Sequence, residues 1–197
     1  MSARSPNTFY VMRHGQSKAN EQGIIVSSLA TDHGGDFGLS ELGRQQARDA
    51  AGRCGLGSGT LIYSSDFTRA RQTAEIVRAR LGARPVTLSA ALRERCFGDW
   101  DGKSAANYAA VWTADELDPG HREHGVEAAT AVLARAVALI DDLDRQLAGQ
   151  DILLVSHGDT LQILLAGLAG IGPAAHRGLP HLGTAEIRRL VTAPPAG

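Results

Sequence analysis

Short apolar runs alternate along the chain with longer segments in which apolar residues recur every three or four positions. Runs of apolar, aromatic and β-branched residues predict strands at 8–12, 61–63, 86–88, 151–156 and 184–191. Helical spacing, with a capping serine before the first segment, predicts helices at 40–51, 66–81, 127–147 and 160–168. Strands alternating with helices are typical of a mostly parallel sheet covered on both faces. We therefore expect an α/β fold, a three-layer α/β/α sandwich with a mostly parallel central sheet.

Residues capable of chemistry lie where the predicted strands end. Arg13 and His14 follow the first strand, and His157 follows the buried fourth strand. Arg69 lies just after the second strand, and Glu94 lies between two other arginines in a later connecting segment. Any one of these alone is more often a structural hydrogen bonder, a solvated cation or an ion-pair partner. Ligands bind beyond the carboxyl ends of strands in such sheets, so the combination favours a functional site at this edge.

The composition narrows the class of protein and of partner. The chain has 197 residues, which suits one domain over 1–197, with 43% hydrophobic and 21% charged residues. A formal net charge of −1 argues against a general nucleic-acid binder, although a single pocket can still attract an anion. The start lacks the apolar segment of a signal peptide, and the apolar runs are too short for a bilayer. We therefore expect a cytoplasmic protein without a membrane partner, and a frayed tail at 192–197.

Four motifs follow one another along the chain. They are Arg13-His14-Gly15-x-Ser17-x-x-Asn20, the segment 64–73 around Arg69, Glu94-x-x-Phe97-Gly98-x-Trp100-x-Gly102, and Ser156-His157-Gly158. Together with the segment 39–47 they resemble the histidine phosphatase superfamily, the phosphoglycerate mutase-like proteins, in its mutase and fructose-bisphosphatase-type branch. An RHG tripeptide alone would be a weak signal, whereas four motifs in the family's order, spread over residues 8–170, are a strong one.

The resemblance implies phosphate-ester chemistry that needs no metal and no cofactor. His14 would be the nucleophile that accepts the phosphoryl group. Glu94 would protonate the departing alkoxide and then take a proton from the attacking water. His157, Arg13 and Arg69 would complete the catalytic set by stabilising the charge of the phosphoryl oxygens. The residues implied to bind the phosphate group are Arg13, Asn20, Arg69, His157 and Gly158.

Such a nucleophile has to be uncharged when it attacks. Arg13, Arg69 and a protonated His157 would all disfavour the protonated form of His14. The second ring nitrogen of His14 should donate to a fixed acceptor, such as a backbone carbonyl, because that bond sets the tautomer.

Some segments depart from the family's pattern or imitate other motifs. Gln16 stands where many relatives have glutamate, and the loop at 23–38 is longer than usual, which leaves the substrate contacts there open. The segment 98–104 resembles a phosphate-binding P-loop but has three residues between its glycines where four are needed. His121 and His124 lack the spacing of a zinc-protease pair, so we expect a polar surface loop there and no metal.

Three functions remain possible: a phosphatase acting on a small phosphate ester, a phosphoglycerate-type phosphomutase, and a catalytically silent binding or regulatory domain. A mutase shields its phosphoenzyme from water, and family mutases carry a longer insertion and C-terminal tail. The modest insertion at about 103–125, expected to form a small helical lid, favours the phosphatase. The complete set of five catalytic residues argues against a silent domain. The lid residues that could contact the rest of the substrate are Lys103, Tyr108, Trp112, His121, Arg122 and His124.

Overall fold

A computed structural model of the chain describes residues 6–190, and the predicted tail at 192–197 lies outside them. The described strands are β1 (Thr8–Arg13), β2 (Leu61–Ser64), β3 (Thr87–Leu88), β4 (Asp151–Ser156) and β5 (Ile187–Arg189). They form a sheet in the order β3-β2-β4-β1-β5, in which only β5 runs antiparallel to its neighbour. The predicted mostly parallel sheet is confirmed.

The last strand is shorter than the predicted 184–191. Ala185 has a φ of 59°, in the left-handed region, and a residue there cannot continue an extended strand. Its N–H instead faces the backbone carbonyls of Arg13 and His14, at 3.1 and 3.2 Å. The predicted end of the strand at Val191 lies outside the described residues. The segment before β5 is thus a turn that closes over the end of β1.

The described helices are α1 (Lys18–Gln22), α2 (Leu29–Gly34), α3 (Glu41–Arg53), α4 (Thr68–Leu81), α5 (Tyr108–Leu117), α6 (Ala129–Gln146) and α7 (Gly158–Leu168). The four predicted helices correspond to α3, α4, α6 and α7, with ends within two residues of those expected. The short α2 was not predicted. Helix α5 occupies the expected insertion. Within residues 6–190 no helix is both long and apolar enough to cross a bilayer.

The central strand β4 explains why the core has two halves. Ile152 and Leu154 pack on the side of α6 and α7, whereas Leu153 and Val155 pack on the side of α3 and α4. All four side chains are completely buried, because alternate residues of a strand point to opposite faces and both faces are covered. The apolar run in the sequence therefore reflects the three-layer arrangement of helices, sheet and helices.

The pairing of β1 with β4 aligns two functional segments. Arg13 at the end of β1 lies opposite Ser156 at the end of β4. In a parallel pair the following residues are then neighbours, and the rings of His14 and His157 lie 5.2 Å apart between centroids. Both histidines are thus fixed by strand register rather than by a flexible loop.

Two glycines allow α3 to contact the loop after β1. A Cβ on Gly15 would clash with the carbonyl oxygen of Gly43, and a Cβ on Gly43 would clash with the carbonyl oxygen of Gln16. The helix is anchored at this place by its N-cap Ser40, whose backbone N–H donates to the same Gln16 carbonyl at 3.0 Å. Since both clashes are with backbone atoms, no side-chain rotation would relieve them.

The Gly43→Ala substitution should destabilise the protein, although alanine normally favours a helix. We expect a loss of about 1–3 kcal/mol in the free energy of unfolding, because the helix must move away from the loop. The matched control is Gly52→Ala on the same helix, where a Cβ would meet nothing within 4 Å. That variant should gain about 0.4–1 kcal/mol. Urea denaturation of both variants measures the difference, and equal effects would contradict the close contact.

Candidate active site

A cavity of about 210 Å³ lies beyond the carboxyl ends of β1 and β4. Of the seven residues that the sequence implicates, the six that line it are Arg13, His14, Asn20, Arg69, Glu94 and Gly158. The seventh, His157, is completely buried and does not reach the cavity surface. The lining residues that sequence reasoning did not assign to binding are Ser17, Ala19, Ile24, Val26, Asp159, Arg177 and His181.

His14 is held as a neutral imidazole with a defined tautomer. Its Nδ1 lies 2.7 Å from the backbone carbonyl oxygen of Gly15, to which it donates. Its Nε2 accepts a hydrogen bond from Arg69 Nε at 3.2 Å. Burial lowers the pKa of His14 well below its usual value, and the charges of Arg69 and Arg13 lower it further. The backbone acceptor expected from the sequence is present, and Nε2 carries the lone pair.

Arg69, in the first turn of α4, is positioned by the loop that follows α1. Its Nη2 donates to the carbonyl oxygen of Val26 at 2.8 Å, and its Nη1 lies 3.6 Å from Asp32 Oδ1. Asp32 is itself fixed by the backbone N–H and the hydroxyl of Thr68, both at 2.9 Å. Asp32, which lies in the short α2, could not be identified from the sequence, because a single acid carries no signal that it pairs with a distant arginine.

Arg13 is held by the segment that precedes β5. Its Nη1 donates to His181 Nε2 at 2.7 Å and to the carbonyl oxygen of Leu182 at 2.9 Å. A Cβ on Gly158 would lie 3.3 Å from Arg13 Nε, so the glycine leaves the guanidinium its place at the start of α7. Burial is the main reason why the pKa of Arg13 is lowered, and the group remains a cation at any physiological pH.

Asn20, in the first turn of α1, lines one side of the cavity. Its side-chain oxygen accepts from the backbone N–H and the hydroxyl of Ser17, each at 3.0 Å, in a reciprocal cap of α1. With the oxygen engaged in this way, the amide nitrogen is the atom that can donate to a ligand.

Glu94 is a buried carboxyl with one oxygen already in use. Its Oε1 accepts from the backbone N–H of Arg95 at 3.0 Å, and from the N–H and hydroxyl of Thr160 at 3.3 and 3.2 Å. Burial raises the pKa of Glu94, and the nearby charge of Asp159 raises it further. The group thus holds its proton at higher pH than an exposed glutamate, as a general acid must.

His157 supports the site from behind the cavity wall. Its Nε2 lies 2.8 Å from Ser65 Oγ, and its Nδ1 is buried without a hydrogen-bond partner among residues 6–190. Burial lowers the pKa of His157 well below its usual value, and Arg69 and His14 add to this effect. The sequence-based expectation of a protonated His157 is therefore wrong for this site, because the ring is surrounded by cations and by apolar groups.

Two of the six lid candidates line the cavity, namely Tyr108 and Trp112 on α5. Their rings stack with 5.3 Å between centroids, and Trp112 Nε1 donates to Asp159 Oδ1 at 2.8 Å. The four candidates that do not line it are Lys103, His121, Arg122 and His124.

His121 also departs from the expected polar surface loop. It is buried, and its Nε2 lies 3.0 Å from Asp115 Oδ1, whereas the ring of His124 packs against Trp100. Throughout residues 6–190, no group of three or more His, Cys, Asp or Glu side chains is placed to hold a metal ion.

Comparisons with known proteins agree with this arrangement. The sequence profile of the histidine phosphatase superfamily (branch 1) matches residues 9–195. Glucosyl-3-phosphoglycerate phosphatase of Mycolicibacterium vanbaalenii is 34% identical over 172 residues, which cover 82% of this chain and 73% of the relative. The 2,3-bisphosphoglycerate-dependent phosphoglycerate mutase of Parvibaculum lavamentivorans is 28% identical over 175 residues, covering 83% and 80%.

A solved structure is similar over nearly the whole chain. The mycobacterial glucosyl-3-phosphoglycerate phosphatase in complex with VO3 has a TM-score of 0.79 at 32% identity, over 96% of this chain and 91% of that one. Profile, sequence relatives and structure thus agree. The chain belongs to the histidine phosphatase superfamily, and it is a phosphoric monoester hydrolase of that superfamily.

Proposed function

We propose that the protein hydrolyses a small phosphate monoester through a covalent phosphohistidine on His14, without a metal ion. The observation that carries this proposal is the hydrogen bonding of His14. Its Nδ1 is tied to the Gly15 carbonyl, which leaves the lone pair of Nε2 among cavity cations. The cavity of about 210 Å³ is smaller than the usual range of about 300–1,000 Å³ for drug-sized ligands, which favours a small metabolite.

In the first step, His14 Nε2 attacks phosphorus while the ester oxygen leaves. The bond between Nε2 and phosphorus forms, the bond between phosphorus and the ester oxygen breaks, and the leaving oxygen takes the proton of Glu94. Arg13 and Arg69 stabilise the negative charge on the phosphoryl oxygens, since a guanidinium offers fixed planar donors. For this, Arg69 exchanges its bond to Nε2 for one to a phosphoryl oxygen.

In the second step, water attacks the phosphohistidine. The ionised Glu94 takes a proton from the water, the bond between nitrogen and phosphorus breaks, and inorganic phosphate leaves. Glu94 is protonated again and His14 is neutral again, so both groups are ready for another turnover. The N–H groups at the start of α7, whose first residue Gly158 lines the cavity, support the charge of the transferred group, and the neutral ring of His157 packs against that of His14.

The first prediction concerns His14→Ala. Loss of the nucleophile should lower the release of phosphate from p-nitrophenyl phosphate by at least about 1,000-fold, as for other enzymes that lose a covalent nucleophile. An acid-labile phosphoenzyme should form in the wild type and be absent from the variant. EDTA should leave the wild-type rate unchanged. The matched control, His124→Asn, removes an exposed histidine that packs on Trp100 outside the cavity and should keep near-normal activity.

Retained activity in His14→Ala would contradict the proposed nucleophile. Strong inhibition by EDTA would contradict the metal-free scheme. The same assay should also score the isomerisation of 3-phosphoglycerate, because the relatives include both phosphatases and mutases. Isomerisation faster than phosphate release would favour the mutase instead.

The second prediction separates the two roles of Glu94. In Glu94→Gln, kcat/KM on an alkyl phosphate should fall by about 100- to 10,000-fold, because the alkoxide needs the proton. On p-nitrophenyl phosphate, whose leaving group needs little protonation, kcat/KM should fall much less. Turnover should nevertheless slow at the second step, giving a burst of nitrophenol and accumulated phosphoenzyme. Equal losses on both substrates, with no burst, would argue against Glu94 as the acid and base.

The third prediction concerns the pH dependence of kcat/KM. The value of kcat/KM should fall at high pH, where Glu94 loses its proton, and at low pH, where His14 gains one. Asp159→Asn removes a charge that raises the pKa of Glu94, so the alkaline limb should move to lower pH. The acidic limb should stay in place, because Asp159 is not among the causes of the pKa shift of His14.

The control for this experiment is Trp112→Phe. It removes the hydrogen bond to Asp159 but keeps the carboxylate charge, so neither limb should move. A shift of the alkaline limb in both variants would mean that packing, and not charge, sets the pKa of Glu94.

A further inference from the structure

Arg177 lines the cavity, although no motif in the sequence singles it out. It lies in a 3₁₀ helix at 173–178, after the end of α7. Within residues 6–190 its guanidinium has no hydrogen bond and no ion pair, and its Nη1 is buried without an acceptor. Buried donors in folded proteins are nearly always bonded, so this one indicates a place suited to an oxygen of a ligand.

Trp112 holds this guanidinium in position. Arg177 Cζ lies 3.7 Å from the centroid of the indole ring. The indole is itself fixed by its bond to Asp159 and by its stacking on Tyr108. A guanidinium that stacks on a ring uses its face, and its N–H groups remain able to donate in the plane of its edge. Arg177 is therefore a positioned cation with donors that the protein leaves unused.

Arg177 differs from Arg13 and Arg69 because no protein group takes up its donors. Arg69 Nη1 lies 3.6 Å from Asp32 Oδ1, and Arg13 Nη1 donates to His181 Nε2 at 2.7 Å. Among the described residues, the guanidinium of Arg177 has no such partner. It is therefore a cavity cation whose charge and donors are open to a ligand.

Arg177 lies on the side of the cavity formed by α5, because its guanidinium stacks on Trp112 of that helix. His14 lies after β1, and the arginine that contacts its Nε2 is Arg69 of α4. With the phosphate group against His14, the leaving group is the part of the substrate that can extend towards Arg177.

We propose that Arg177 is a specificity-determining residue that binds a second anionic group, a carboxylate or a second phosphate, on the leaving group of the substrate. The inference rests on the proposed phosphatase function, because it takes the phosphate ester to lie against His14. A guanidinium can bind either oxyanion through two parallel hydrogen bonds. The small cavity brings the second anion within a few bonds of the ester.

The test compares two esters that differ in one group. 3-Phosphoglycerate carries a carboxylate where glycerol 3-phosphate carries a hydroxymethyl group. Each is measured as a competitor of p-nitrophenyl phosphate, so the result does not depend on its own turnover. Propane-1,3-diyl bisphosphate, compared with propyl phosphate, tests a second phosphate in the same way. The variants are Arg177→Met and Arg177→Lys, with Arg122→Met as a control that removes an exposed arginine outside the cavity.

In the wild type, at least one of the two esters with a second anionic group should compete about 10- to 100-fold better than its partner without that group. Arg177→Met should abolish this preference while changing the competition by the partner without that group by less than about threefold. Arg177→Lys should keep part of the preference, since it keeps the charge but not the planar donors. Arg122→Met should behave like the wild type.

Two results would overturn the inference. One is a wild type without preference for either ester that carries a second anionic group. The other is an Arg177→Met variant that weakens the competition by all four esters equally, which would mean that Arg177 contacts the phosphate or only supports Trp112. Calorimetric titration of the four esters into the His14→Ala variant separates failure of the proposed subsite from failure of the proposed function, because it measures binding without turnover. A protein that binds the charged esters through Arg177 but hydrolyses nothing would refute the function and not the subsite.

Discussion

The site depends on the parallel register of β1 and β4. Because Arg13 pairs with Ser156, the two strands end at the same level and deliver His14 and His157 side by side. A shift of one residue would exchange the faces of the strand and turn the apolar side chains of β4 out of the core. The position of His14 is thus stabilised by the packing of both helical layers.

Burial and charge act in the same direction on the central histidine. A buried imidazole prefers to be neutral, and neighbouring arginines increase this preference. In the proposed mechanism the same arginines bind the phosphate group, so one arrangement would both keep the proposed nucleophile neutral and hold the substrate. For Glu94 the uncharged form is the protonated one. Burial and the charge of Asp159 favour this form, although the charge of Arg69 opposes them. Burial in the same cavity lining therefore favours the uncharged forms of both His14 and Glu94.

A buried cluster of charged side chains connects the lid helix α5 to α7 and to the segment that carries Glu94. Arg95, which follows Glu94, bonds Asp115 of α5 through two nitrogens, at 2.6 and 2.7 Å. It also lies 3.3 Å from Asp159 of α7. Buried ion pairs of this kind contribute little net stability, but leaving one partner alone is costly. The cluster consequently fixes the relative positions of α5, α7 and Glu94, and with them the ring of Trp112 that carries Arg177.

The sequence by itself determined the layered fold and the main members of the site. The spacing of apolar residues located the strands and the long helices, and the motifs identified His14, Arg69 and Glu94. Both kinds of signal depend only on residues that are close together in the sequence. The structure decided what depends on distant segments meeting: the pairing of Asp32 with Arg69, the neutral state of His157 behind the wall, and the stacking of Arg177 on Trp112. These contacts join residues far apart in the chain, and solvent exclusion, which sets the pKa values, exists only in the packed protein.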